Sequence, residues 1–146
     1  MNIQVESARP SVARNVGLWV LQVLTAIAFQ AAGVAKLSGQ PMMVETFEKV
    51  GVGQWFRYVT GAIEVVSAVL LLIPRLAAVG AALLAGTMAG AVLSHLLVLG
   101  GSPVAAFVLG CLAGIILWGR FATVKAWLSA PSARATAERG AIDRVW

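Results

Sequence analysis

The sequence predicts an all-α membrane protein: a bundle of four transmembrane helices, both termini cytoplasmic, with short interfacial helices. Three observations predict it. Of 146 residues, 60% are hydrophobic and 12% charged, with a mean hydropathy of +0.88; a soluble domain carries about 25% charged residues to cover its water-facing surface. The apolar residues gather into runs near the length that a hydrocarbon core requires. Lys and Arg stand at the ends of these runs and divide unequally between the two sides.

Residues 1–15 form a polar cytoplasmic leader holding Glu6, Arg9, Pro10 and Arg14. The first span follows at about 16–36. The charge-free run 15–35 has 21 residues, about 31 Å of helix at roughly 1.5 Å per residue. A signal peptide also places basic residues before an apolar stretch, but its apolar region is about 7–15 residues, shorter than this one. In the connection 36–55, Met43, Phe47 and Val50 recur at helical spacing opposite Glu45, Glu48 and Lys49, which predicts a short helix lying in the interface. Trp55 and Tyr58 stand where an aromatic belt belongs.

The second span is 57–74, opened by Arg57, carrying Glu64, and closed by Pro74. Between Arg75 and Arg120 lie 44 residues without a formal charge. One straight helix of that length would reach about 66 Å, twice a bilayer, so the chain must fold back. Gly100-Gly101-Ser102-Pro103 is the strong breaker in the stretch. The third span is therefore 76–99 and the fourth 103–118, with Pro103 at the favoured first position. Together they make a transmembrane domain over 16–119. Phe121, Val124, Trp127 and Leu128 share one face of 120–128, which predicts an amphipathic juxtamembrane helix. Residues 129–146 are Ala/Ser/Arg-rich and read as a disordered cytoplasmic tail.

With the N-terminus inside, the inner segments hold Arg9, Arg14, Arg75, Arg120, Lys125, Arg134, Arg139 and Arg144, and the outer ones Lys36, Lys49 and Arg57. That excess favours both ends cytoplasmic. The same placement argues against nucleic acid as a partner, despite a net charge of +5 and a pI near 10.4, because the basic residues do not cluster among aromatics on one folded face. Cys111 is the single cysteine, so there is no CxxC pair, intrachain disulfide or cysteine metal cluster. No GxGxxG, Walker or HExxH motif occurs, and the single Asp, Asp143, lies in the tail. No catalytic motif and no metal site is therefore assigned, and enzymatic activity stays open.

Small residues recur every fourth position in the third span, at Ala78, Ala82, Gly86, Gly90 and Ser94, and in the fourth at Ala106, Gly110 and Gly114. Such stripes let helix backbones approach closely in lipid. They predict contact between these two spans through Gly86, Gly90, Gly110 and Gly114, with homo-oligomerisation through one stripe as the competitor.

Ionisable groups inside a membrane are costly, so each is a functional candidate. Lys36 ends the first span, Glu64 lies seven residues inside Arg57 on the second, and His95 stands in the last turns of the third. All belong to the outer half of the bilayer, and Lys36, Glu64, His95 and Arg57 form the candidate polar pocket. On the second span Arg57, Gly61, Glu64 and Ala68 share a face, with Thr60 and Ser67 beside it; on the first, Gln22, Phe29, Gly33 and Lys36 do. A plainer reading stands beside this one. Lys36 snorkels to the headgroups, Glu64 ties two helices together, and His95 bonds a carbonyl. Glu64 is either paired with Lys36 or present as a neutral acid.

At these residues the chain resembles the DoxX-like family of small bacterial membrane proteins. The matching segments are Gly33-Val34-Ala35-Lys36-Leu37, Gly61-Ala62-Ile63-Glu64, the Ile73-Pro74-Arg75 turn, and the Ala/Gly-rich helix with His95. The resemblance covers about residues 16–118. It implies a four-helix fold in the bacterial inner membrane and, from some relatives, an accessory role in quinone-linked redox complexes, with quinone as the possible ligand and a redox enzyme as a possible partner. A dithiol mechanism does not carry over, because there is no Cys pair. A non-enzymatic membrane scaffold and a small solute or proton pathway are the alternative functions.

Overall fold

The computed structural model describes residues 12–121. Five helices follow one another: α1 (Val12–Leu37), α2 (Pro41–Val50), α3 (Gln54–Leu71), α4 (Ala77–Ser94) and α5 (Val104–Phe121). The end of α4 widens into a π-helical segment, His95–Leu99. No strand occurs among the described residues. Helix α1 begins inside the expected leader, and α5 runs through Arg120 to Phe121, so these two residues continue a long helix rather than open a separate surface one. The rest of the juxtamembrane helix and the tail lie outside the described residues.

Three helices are long and apolar enough to cross a membrane: α1, α4 with its π-helical extension, and α5. Helix α3, with Arg57 and Glu64 in its sequence, is not among them. The short α2 starts with Pro41 at its first turn, where a missing N–H costs nothing. It ends at Gly51, whose φ of 78° is left-handed and whose N–H bonds back to the Phe47 and Glu48 carbonyls. Phe47 is buried and meets Phe56 of α3 edge-on at 5.9 Å, so α2 is strapped to the start of α3. The return between α4 and α5 uses Gly100 and Gly101, both with positive φ, the conformation that glycine adopts without steric cost.

The core interleaves alanines with larger side chains. Ala26 and Phe29 of α1, Ala68 and Leu71 of α3, Ala81, Leu84 and Met88 of α4, and Ala113 and Ile116 of α5 meet in one cluster. Small residues let helix axes come close, which suits a medium where dispersion rather than hydrophobic drive holds helices together. The closest approach of α1 to α3 is at Gly33 and Gly61. A Cβ at Gly33 would stand 2.8 Å from Val65 Cγ2 and 2.9 Å from the Gly61 carbonyl oxygen. Gly80 serves α3–α4 contact in the same way, with the Ser67 carbonyl oxygen 2.7 Å from its would-be Cβ. At Gly119, α5 meets Leu18 of α1. Outward positions such as Leu24, Ile27, Val66, Leu97, Phe107 and Ile115 are exposed, as a lipid-facing surface requires.

The α4 stripe behaves differently from expectation. Ala82, Gly86 and Gly90 are exposed, and a Cβ added at Gly86, Gly90 or Gly114 would meet nothing within 4 Å. Gly110 alone of the four glycines packs within the chain: a Cβ there would stand 3.2 Å from Met88 Cβ. The row that faces the core is Ala77, Ala81, Leu84 and Met88. Helical spacing turns that row inward and carries Gly86 and Gly90 to the outside. The third and fourth apolar segments do touch, but through Met88 and Gly110.

Candidate polar site within the bundle

Helices α1 and α3 each bury a stripe of polar and small residues: Gln22, Thr25 and Gly33 on α1, and Arg57, Gly61, Glu64 and Ser67 on α3. Because two glycines meet at Gly33 and Gly61, the stem of Lys36 lies directly over Gly61; its Cβ is 3.0 Å from where a Gly61 Cβ would stand. From there the Lys36 ammonium donates to Glu64 Oε2 at 2.8 Å. Glu64 is 1% exposed and the Lys36 side chain 15%. The carboxylate is thus enclosed, while the lysine side chain is partly exposed.

Arg57 stands one layer further out and is buried. Its Nη1 donates to the Lys36 backbone carbonyl, its Nε donates to Gln54 Oε1 at 2.7 Å, and its guanidinium lies 4.3 Å from the Tyr58 ring centre. The Lys36 carbonyl belongs to the last turn of α1, where it also accepts from the Gly39 N–H at 3.3 Å. The helix dipole is negative there, which favours a cation. Gln54 also donates to the Val44 carbonyl at 3.0 Å, so α2 is tied into the same layer.

His95 is not part of this cluster. Its Nδ1 lies 3.3 Å from the Gly100 carbonyl oxygen, within its own turn. The structure brings Lys36, Glu64 and Arg57 together and leaves His95 aside. Cys111 is exposed, and no group of His, Cys, Asp and Glu among the described residues could hold a metal ion.

A second polar cluster lies at the opposite end of the α1–α3 contact. Arg120 of α5 is 9% exposed; its Nε donates to Gln22 Oε1 at 2.6 Å and its Nη1 to Asn15 Oδ1 at 2.9 Å. Gln22 in turn donates to the Leu71 carbonyl at 2.5 Å. From the sequence Arg120 reads as a topology signal after an apolar run. The available clue was its register, since Ala113, Ile116 and Arg120 fall on one helical face.

Chemically, the first site offers a lysine ammonium with hydrogens beyond the one that Glu64 accepts. It suits a carbonyl or anionic oxygen as acceptor. Among the described residues no second acid or base bonds to the pair.

A bundle of apolar helices whose charges turn inward is an integral membrane protein. Residues 20–119 match the DoxX-like family, and the chain belongs to it. That stretch contains Lys36, Arg57, Glu64 and His95 and stops one residue short of Arg120. No curated protein and no solved structure matches the chain.

Proposed function

We propose that the protein is a four-span accessory subunit of a quinone-linked redox system in the bacterial inner membrane, holding a quinone-type headgroup at Lys36. The observation that carries this reading is the Lys36–Glu64 pair. A buried carboxylate holds the ammonium of a part-exposed lysine in place, and a quinone carbonyl is an acceptor for its remaining hydrogens. The oxidation–reduction itself falls to a partner enzyme, since Glu64 is engaged with Lys36 and His95 with its own turn. The same engagement speaks against a proton relay from Glu64 to His95.

The test is quinone extracted from protein purified gently out of native membranes. The Lys36→Met/Glu64→Gln double variant removes the pair without leaving an unmatched charge, so its loss of quinone would report the site. Quinone retained by the double variant, or absent from the parent, overturns this reading.

A second reading, a non-enzymatic scaffold, is favoured by the open face of α4 and α5. There a groove is lined by Met88, Ala89, Val92, Ala106, Phe107 and Cys111, and Gly86 and Gly90 of α4 are exposed. A stoichiometric protein partner recovered without quinone would select it.

A further inference from the structure

We infer that Arg120 is the centre of an anion site that takes the phosphate group of an anionic membrane lipid. Arg120 is nine-tenths buried, yet it pairs with no carboxylate among the described residues. Two of its nitrogens donate to the neutral amide oxygens of Gln22 and Asn15. Gln22 is held with that oxygen toward Arg120 because its amide nitrogen donates to the Leu71 carbonyl. The third nitrogen, Nη2, has no partner among the described residues, and the guanidinium carbon lies 5.4 Å from the Trp19 ring centre. Amide oxygens satisfy hydrogens but leave the charge unbalanced, and an unbalanced buried charge is strongly destabilising.

The carboxylates among the described residues are Glu45, Glu48 and Glu64. Glu64 bonds Lys36, and the other two stand on α2, beyond the C-terminal end of α1. Arg120 lies at the other end, where α1 begins, α3 turns into α4, and α5 finishes. No carboxylate among the described residues stands at that end. A guanidinium's planar fork matches phosphate oxygens, and basic pockets between membrane helices attract anionic headgroups. Trp118, two residues before Arg120, is 85% exposed, which suits an indole at headgroup depth and favours a lipid over a dissolved ion as the source.

The experiment is native mass spectrometry of the full chain with phosphatidylglycerol and phosphatidylcholine in equal amounts, and with inorganic phosphate alone. For the parent, phosphatidylglycerol adducts should exceed phosphatidylcholine adducts about tenfold: both lipids carry a phosphate, but the choline cation cancels its charge, so only phosphatidylglycerol balances that of Arg120. Arg120→Gln should abolish that preference, and Arg120→Lys, which keeps the charge, should retain part of it. Arg75→Gln removes an exposed charge at the same end and should leave it intact. Adducts of inorganic phosphate that depend on Arg120 would support the site with a free anion as its source. A preference kept by Arg120→Gln, equal losses from Arg75→Gln and Arg120→Gln, or no preference in the parent, would overturn the proposal.

Discussion

Glu64 and Lys36 are 28 positions apart in the chain, and their bond joins the two helices that carry the site. The value of such a pair is asymmetric. Exchanging both partners for uncharged groups of similar size is often neutral, whereas removing one leaves a buried charge and costs about 3–5 kcal/mol. Glu64→Gln should therefore lower unfolding stability in detergent, and adding Lys36→Met should recover most of the loss. A double variant as unstable as Glu64→Gln alone would mean that the pair is not what Glu64 contributes. Part of this residue-scale picture was legible in the sequence, because Glu64 is the carboxylate inside an apolar run and Lys36 the cation at the end of another. The Arg57 contact was not, since it ends on a backbone carbonyl, an acceptor that every residue offers. His95 stands at the right place in the sequence, but the π-helical segment and the Gly100 carbonyl hold its ring elsewhere.

At the scale of helices, the determining contacts are glycines pressed against backbone. A Cβ at Gly80 would meet the Ser67 carbonyl oxygen at 2.7 Å and the Leu71 nitrogen at 3.0 Å, and neither can move without shifting α3. Gly33 faces the Gly61 carbonyl oxygen in the same manner. Gly33→Ala and Gly80→Ala should each destabilise by roughly 1–3 kcal/mol, the usual cost of overpacking. Gly86→Ala meets open space and should be neutral or mildly stabilising, since alanine is favoured over glycine in helices by up to about 1 kcal/mol. Thermal unfolding of the three variants in one detergent checks the order, and a reversed order would place the packing face of α4 on its glycine stripe. The reason this stripe misleads is physical. In α1 and α3 polar residues mark the inward face, because Gln22, Thr25, Arg57, Glu64 and Ser67 avoid lipid. Helix α4 is nearly uniform in hydropathy around its circumference, so its sequence carries little information about which side is turned in.

For the whole molecule, the question that the helices pose is the number of crossings. Helix α3 is the least apolar of the long helices, yet it lies along α1 over a considerable depth. Arg57 reaches the Lys36 carbonyl at one end of their contact, and Gln22 reaches the Leu71 carbonyl at the other. Fourteen residues separate 22 from 36 and 57 from 71, about 21 Å of helix in each case. A helix pinned to a spanning neighbour at both ends of such a length is expected to cross with it, its charges sheltered by that neighbour. The count decides where the termini lie. Four crossings put both on one side; three, with α3 lying in the interface, put them on opposite sides. With four crossings, the eight Lys and Arg residues against three predict the cytoplasm for both ends. Reporters active only in the cytoplasm, fused before Met1 in one version and after Trp146 in another, should both be active in intact cells. Activity at one end alone would remove α3 from the spans, and with it the membrane depth assigned to Glu64. Inactivity at both would keep four crossings but invert the bundle, carrying Arg120 to the outer leaflet and the Lys36 site to the cytoplasmic one.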